Sequence, residues 1–571
     1  MEEKRIGVYI CWCGTNIAKM VDVEAITNEI KNLPNVVISK NYKYMCSDPG
    51  QELLIKDIKE NNLNRVVVAA CSPRIHELTF KKALENAGLN PYLFQMANIR
   101  EQVSWVHKDQ LKATSKAKSL IKAAIQRVSY HEALDRKTVN INPATLIIGG
   151  GISGLSAALE IANAGKKVFL VEKLDQLGGH VANIDLSFPY MMSVNEMITQ
   201  TIKEVKNHAN ITLFLNNEIN DISGYVGNFE TIIIQDGNEI PLKFGNIIVA
   251  TGLKTFDPSE IIQYGYSQFP DVITSSEFEI MLKKGEILTS DKKEPKNIAI
   301  IHCVGSRNSD YHEYCSRVCC SNAIKYANQL KIALPDANIF NIYSDIRTFG
   351  KGCEEMYTST SKNKVLFLKY DQQYDLPTIT AADKNESFNM MINLNETLSG
   401  ENIDIPVDMV ILMTAMEAQE EAKKISHTVG ISMCGNEFFI EKHPKLDPVA
   451  TTTDGVYIIG SCQGPKDIID SVAQAKAATS RILASIAYGT VEVETTTAFV
   501  NEELCCGCQT CIKVCPYLAV SFDNEKKTSF VNDILCKGCG TCGSSCPTGA
   551  ISSRHFTDEQ ILHQIEGLMQ L

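Results

Sequence analysis

The chain contains no run of about 18 apolar residues, so nothing in it reads as a membrane-spanning helix. Its opening, "MEEKRIGVYICWCG", holds too short an apolar stretch for an export leader, which predicts a cytoplasmic protein. It is also short of positive charge. Lys and Arg number 55 against 67 Asp and Glu, a formal charge of −12, whereas a nucleic-acid surface needs the opposite balance. No Ser–His–Asp arrangement or carboxylate pair marks acid–base catalysis, and His107 and His312 read as packing or surface residues. Low-complexity segments are missing too. What the sequence has is cysteine, 20 in 571 residues. In a reducing cytosol these are metal ligands or redox groups rather than disulfides. The length predicts about three to four domains, and 44% apolar with 21% charged residues suits ordinary globular cores.

The strongest pattern is near the C-terminus. Cys505, Cys508, Cys511 and Cys515 follow C-x2-C-x2-C-x3-C-P, and Cys536, Cys539, Cys542 and Cys546 repeat it. Three closely spaced thiolates wrap three corners of an iron–sulfur cube, and the fourth comes from the other run. The spacing therefore predicts one 4Fe-4S cluster on Cys505, Cys508, Cys511 and Cys546. It predicts a second on Cys536, Cys539, Cys542 and Cys515. Two complete runs exceed what structural zinc, content with four ligands in a tetrahedron, requires.

A dinucleotide fold opens at "LIIGGGISGLSAALEIANAGKKVFLVEK", which reads as strand, glycine turn, helix and second strand. Gly149, Gly151 and Gly154 form G-x-G-x-x-G, with Glu172 at the end of the second strand placed for a ribose hydroxyl. "NIIVATG" and "TTDGVYIIGS" resemble the other two FAD-contact motifs of two-dinucleotide flavoproteins, so FAD is expected rather than NAD. The candidate FAD contacts are Gly149, Gly151, Gly154, Glu172, Lys173, Gly179, Thr251, Gly252, Gly460, Lys466 and Asp467. Lys466 is the one candidate catalytic residue, as a neighbour of the isoalloxazine; an ordinary surface lysine is the competing reading. Cys462 reads more simply as a small buried thiol.

Flavoproteins of this plan repeat strand, glycine turn and helix in a second domain to seat NAD(P)H. Here the second start, "NIAIIHCVGSRN", ends in Cys303 with Gly305 as its one turn glycine. "YCSRVCC" then adds Cys315, Cys319 and Cys320 at the start of an expected helix, with Cys315 and Cys319 on one face at i, i+4. Four thiolates in that place could close on one cube; zinc, or a set of inert buried thiols, is left open. The N-terminal region alternates strands ("RIGVYIC", "NVVISKNY", "RVVVAAC") with amphipathic helices and a long helix near "KDQLKATSKAKSLIKAAIQRVSY". Cys11, Cys13, Cys46 and Cys71 fall at strand ends, which converge at one rim of a parallel sheet. Their spacing alone does not decide between a cluster and unrelated thiols.

Taken in order, "CWCGTNI", "YMCSDPGQ", "ACSPRIHE", "GGGISG", "CVGSR…YCSRVCC" and "GPKDI" resemble the A subunit of heterodisulfide reductase and its bacterial relatives along nearly the whole chain. The resemblance implies an α/β fold with a thioredoxin-reductase-like, two-dinucleotide-domain flavoprotein core. An N-terminal α/β iron–sulfur domain and a C-terminal two-cluster ferredoxin domain flank it. It implies non-standard 4Fe-4S clusters on Cys11, Cys13, Cys46 and Cys71 and on Cys303, Cys315, Cys319 and Cys320, making four clusters and one FAD. Cys353, Cys434, Cys462 and Cys506 are left over. The expected domains are 1–140 (N-terminal cluster domain), 141–295 and 416–490 (FAD domain), 296–415 (second dinucleotide-like domain) and 491–571 (ferredoxin domain), with "TVEVETTTAFV" as the linker into the last.

The family function would be flavin-based electron bifurcation or confurcation. Its partners would be subunits like the B and C components of heterodisulfide reductase, a hydrogenase- or formate-dehydrogenase-linked donor, ferredoxin, and a second copy in a homodimer. Longer relatives carry a further ferredoxin insert in the flavin domain, and the matching stretch here has no cysteine. That departure keeps an alternative in view, a non-bifurcating FAD and iron–sulfur conduit serving a quinone, acyl-CoA or folate-linked acceptor.

Overall fold

The structure, a computed structural model, describes residues 3–569 apart from 236, 383–387 and 494. The chain forms two compact units, Met1–Thr138 with Glu492–Leu571, and Val139–Val491. Among the described residues no helix is long and apolar enough to cross a membrane.

Unit 1 begins with β1 (Ile6–Cys11), α1 (Val23–Ile30), β2 (Val36–Tyr42), α2 (Asp48–Glu60), β3 (Arg65–Ala70), α3 (Pro73–Ala87), β4 (Phe94–Asn98) and α4 (Gln110–Val128). The strands pair in parallel in the order β2-β1-β3-β4. Continuous apolar runs such as "VVVAA" suit strands covered on both faces. Aspartates start two of the helices: Asp22 accepts from the Ala25 N–H at 2.9 Å, and Asp109 accepts from the N–H groups of Leu111 and Lys112 at 2.9 and 3.1 Å.

The C-terminal part of unit 1 pairs Ala498–Val500 with Ile551–Ser553 and Val520–Asp523 with Thr528–Val531, around two short helices, Thr510–Val514 and Thr541–Ser544. Part of the expected linker is thus a strand, because Ala498–Val500 finds an antiparallel partner in Ile551–Ser553. The C-terminal helix Asp558–Met569 lies against α4, so close that a Cβ on Gly567 would come within 2.7 Å of Ala123 Cα. Arg127 fixes the contact, donating to Gln564 Oε1 at 2.9 Å and to the His555 carbonyl at 2.8 Å.

His131 and His555 stack in this contact at 4.4 Å and 10°. Burial, with the neighbouring His555 and Arg127, pushes the His131 imidazole down to about 3, and burial lowers His555 as well. A histidine depressed below its unfolded value leaves the unfolded chain binding more protons, so stability is intact above about pH 6.5 and lost as pH falls. Between pH 7.5 and 5.5, His131 alone is expected to remove about 1.4 kcal/mol. Denaturant titration of the full chain at both pH values checks this; in His131→Phe that share of the pH dependence should vanish.

Unit 2 holds β5 (Thr145–Ile148), α5 (Ile152–Asn163), β6 (Val168–Val171), β7 (Ile211–Phe214), β8 (Asn246–Val249), β9 (Val272–Thr274), β10 (Asn297–Val304), α6 (Cys319–Ala333), β11 (Asn338–Tyr343), β12 (Leu366–Lys369), β13 (Met409–Thr414), β14 (Val456–Ile458) and α7 (Ile468–Tyr488). They build two parallel five-stranded sheets, β7-β6-β5-β8-β14 and β9-β13-β10-β11-β12. This is the two-dinucleotide-domain α/β architecture. On the first sheet, Leu155, Ala158 and Ile161 of α5 share a core with Ala475, Ala478 and Ile482 of α7. Each sheet presents its first strand-to-helix turn at the carboxyl ends of the strands, where ligands of such folds bind.

Candidate functional site

The first turn is shaped for a phosphate. Gly149 takes φ 111° beyond β5, and Gly151 caps α5. A Cβ on Gly149 would lie 2.3 Å from the Ala250 carbonyl oxygen, and one on Gly154 would lie 1.9 Å from that of Gly149. A Cβ on Gly151 meets nothing within 4 Å, so space opens before the helix N-terminus, whose free N–H groups favour an anion. Glu172 is buried at the end of β6; its carboxylate accepts from Gly150 N–H at 2.6 Å and Leu174 N–H at 2.9 Å, holding the turn while lining the cavity beside it. Lys173 lines that cavity too, with its ammonium on Glu421 at 2.9 Å. Thr251 lines it from the end of β8, its Oγ1 buried and without a partner. An orphaned hydroxyl on a cavity wall, with open space at Gly151, fits a bound dinucleotide.

Gly179, at φ 55°, opens the short helix Gly179–Asn183; its Cβ would stand 3.3 Å from Gly151 Cα. Gly252 follows Thr251 at φ 74°, and the Gly460 N–H donates to Gln474 Oε1 at 2.9 Å. Asp467 caps α7, accepting from the Asp470 N–H at 2.7 Å. Lys466 is half-buried; burial lowers its ammonium, with the Cys462 thiol opposing and the Arg317 guanidinium adding to the effect. Cys462 itself donates to the carbonyls of Ile459 and Val249 at 3.1 and 3.3 Å and is a satisfied buried thiol. The far wall of the cavity, Gln419, Ala422 and Ile425, follows no sequence motif. Gly154→Ala is expected to force α5 off β5, at about 1–3 kcal/mol; denaturation of the variant and its dinucleotide content, which should fall, check this.

The second turn is closed. Cys303, one residue before the end of β10, holds φ 60°, and Gly305 lies just beyond the strand at φ 78° with a Phe256 ring carbon 2.4 Å from where its Cβ would be. Where Gly151 faces space, Gly305 faces an aromatic ring. The Arg307 N–H donates to the Tyr314 carbonyl at 3.1 Å and returns the loop toward Cys315. Cys315 and Cys319 do not share a helix face as the spacing predicts. α6 starts at Cys319, because Arg317 at φ 60° breaks any earlier turn. Cys315 Sγ accepts from the Arg317 N–H at 3.4 Å, and Arg317 reaches Asp470 of α7 at 2.5 Å. Cys303, Cys315, Cys319 and Cys320 are near enough for their charges to act on one another, and burial raises Cys303 to about 12 and Cys319 well above its usual value. His312 is more than a packing residue: its Nε2 lies 2.6 Å from Glu417 Oε1, a partner 105 residues away that no local pattern reveals.

In unit 1 the rim of the parallel sheet gathers Cys11, Cys13, Cys46 and Cys71. The Cys13 N–H donates to Cys11 Sγ at 3.3 Å, Cys11 feels Cys13 and Cys46, and burial pushes Cys71 up to about 11 with Cys13 and Cys11 contributing. In the terminal module Cys515, Cys536, Cys539 and Cys542 line one cavity, and Cys505, Cys508, Cys511 and Cys546 line another together with Cys506. Each space therefore takes three thiols from one run and the fourth from the other. Backbone N–H groups of Ala498 and Ala519 point at Cys536 and Cys515 at 3.4 and 3.3 Å. A cavity ringed by four thiols with N–H groups aimed at sulfur fits an iron–sulfur cluster, and the second cavity offers the same kind of thiol ring. Among the described residues no three His, Cys, Asp or Glu side chains close on the place of a single metal ion.

Comparison with known proteins extends these findings. A model of an NAD(P)-binding Rossmann-like domain matches residues 147–209, and one of a 4Fe-4S dicluster domain matches residues 504–551. The A subunit of the H(2):CoB-CoM heterodisulfide,ferredoxin reductase of Methanothermobacter thermautotrophicus is 38% identical over 653 aligned positions, covering 100% of this chain and 98% of its own. The second iron-sulfur A subunit of the CoB–CoM heterodisulfide reductase of Methanopyrus kandleri is 40% identical, covering 99% of each chain. Among solved structures, Lactococcus lactis thioredoxin reductase aligns with a TM-score of 0.41 at 14% identity, covering 60% of this chain and 99% of its own. Related along its whole length to such proteins, the chain belongs to the family of heterodisulfide reductase A subunits and is a component of an oxidoreductase.

Proposed function

We propose that the protein is the FAD- and iron–sulfur-containing electron-transfer component of a heterodisulfide-reductase-like complex, in which electron pairs are split or merged. The observation that carries this reading is the closed second turn, where four cysteines and a packed Gly305 stand in place of a glycine cradle for the pyrophosphate of a nicotinamide dinucleotide. FAD would be held by Gly149, Gly151, Gly154, Glu172, Lys173, Gly179, Thr251, Gly252, Gly460, Lys466 and Asp467. Four 4Fe-4S clusters would sit on the two ferredoxin-type sets and on the sets at Cys11, Cys13, Cys46, Cys71 and at Cys303, Cys315, Cys319, Cys320. FAD, when bound, exchanges electrons in pairs or singly, whereas each cluster exchanges one. The chain's own part is to seat these groups and set their environments. Lys466 would offer a positive charge to the cofactor as the one catalytic side chain, and the Arg317–Asp470 pair ties the cysteine loop to α7.

The relatives' names give the reactants of this reading: H2 or formate as donor, CoB–CoM heterodisulfide and ferredoxin as acceptors. Partners would then be B- and C-like subunits, a hydrogenase- or formate-linked donor and ferredoxin, with a homodimer in a cytoplasmic complex. The conduit reading stays as the second, because 653 positions align against 571 residues, so the relative has segments that this chain lacks. The test is the complex assembled with its B- and C-like subunits, scored for both acceptors at once. Ferredoxin reduction that requires the heterodisulfide supports splitting. Heterodisulfide reduction that never yields reduced ferredoxin supports the conduit.

A further inference from the structure

We infer that Arg307 is the charge partner of the cluster held by Cys303, Cys315, Cys319 and Cys320, and that it raises the potential at which that site accepts an electron. The inference rests on the reading of these cysteines as a 4Fe-4S ligand set.

Arg307 is built into its place. It holds φ 59°, a conformation that costs a residue with a side chain and persists where the surroundings impose it. One edge of the guanidinium is fixed, with Nη2 donating to Asp345 Oδ2 at 2.6 Å. Its Nη1 is buried and has no hydrogen-bond partner among the described residues. The guanidinium lies beside the Cys303 thiol, close enough to hydrogen-bond it. Arginine cannot shed its proton, so this is a permanent cation beside the Cys303 and Cys320 thiols. Leaving a buried donor unpaired is unfavourable, and the sulfur atoms of a cluster would satisfy it.

Asp345 ties the arrangement to a second ligand. Its carbonyl oxygen accepts from Cys320 Sγ at 3.4 Å, while its carboxylate orients Arg307. The same device occurs in unit 1 on a different scaffold. Arg100 donates through Nη1 to Cys13 Sγ at 3.3 Å while Glu101 holds its Nη2 at 2.7 Å. One electron entering a cluster adds one negative charge, which a fixed cation and an N–H donor favour. Arg307 therefore acts through the cluster as a positioning residue.

The test is an anaerobic redox titration of the full, cofactor-loaded chain, followed by electron paramagnetic resonance with iron and flavin analysis. In Arg307→Gln one cluster signal should titrate at lower potential, with the others unmoved. Arg307→Lys should shift it in the same direction but less. Arg100→Gln should move a different signal. Full iron with every potential unmoved in Arg307→Gln overturns the inference. If that variant loses the cluster, Arg307→Lys carries the measurement, and an unmoved potential there overturns it equally. A wild-type chain without the iron of this set overturns the underlying reading, and the inference with it.

Discussion

Replacing Cys303 with serine is expected to strip the chain of one cluster, about four irons, and to reduce electron delivery to either acceptor to background. A serine hydroxyl is a poor substitute for a thiolate that must bind iron. Cys303 also holds φ 60° one residue before the end of β10, a left-handed backbone that costs a residue with a side chain. The ferredoxin-type sets lie in unit 1, so their iron should be unaffected. Cys462→Ser is the comparison. Its thiol donates to the carbonyls of Val249 and Ile459, a role a hydroxyl can take, so the full iron content should remain. Iron analysis of the anaerobically purified variants separates the two.

Lys325→Met is expected to be the most destabilising single change, at about 3–5 kcal/mol. Lys325 is fully buried on α6; its ammonium pairs with the buried Glu279 and donates to the Leu186 carbonyl at 2.9 Å. Desolvation lowers the ammonium and Glu279 opposes that shift. Removing the lysine leaves a carboxylate in the core without its counter-charge. Lys325→Met with Glu279→Leu should recover most of the loss, since an apolar pair of similar volume often matches a buried ion pair. Denaturant midpoints of the single and double variants give the answer.

Much of this was readable from residue order, and the reasons differ by region. The ferredoxin ligands were legible because each set is almost wholly local, three thiols in seven residues and a proline beside the fourth. The first glycine turn was legible because strand, turn and helix follow without interruption. The strand β4, "FQMAN", was not: it has no β-branched residue and exists because β3 offers it an edge. The helix expected to carry Cys315 fails at Arg317, whose left-handed backbone is set by tertiary contact rather than by local preference. Arg100 and Arg307 were missed since nothing in an arginine's neighbours announces a thiol 87 residues away or an aspartate 38 residues away. The packing of the terminal helix on α4 likewise joins residues more than 400 positions apart.

The central claim is that thiols stand where a nicotinamide would bind, so that electrons leave through clusters. The most direct measurement is an anaerobic titration of the full, cofactor-loaded chain with NADH, followed at the flavin absorption band, with iron and flavin quantified on the same sample. The account predicts about sixteen irons per flavin and a band that NADH leaves unbleached. Bleaching by NADH alone, or about eight irons, the complement of the ferredoxin sets only, would contradict it.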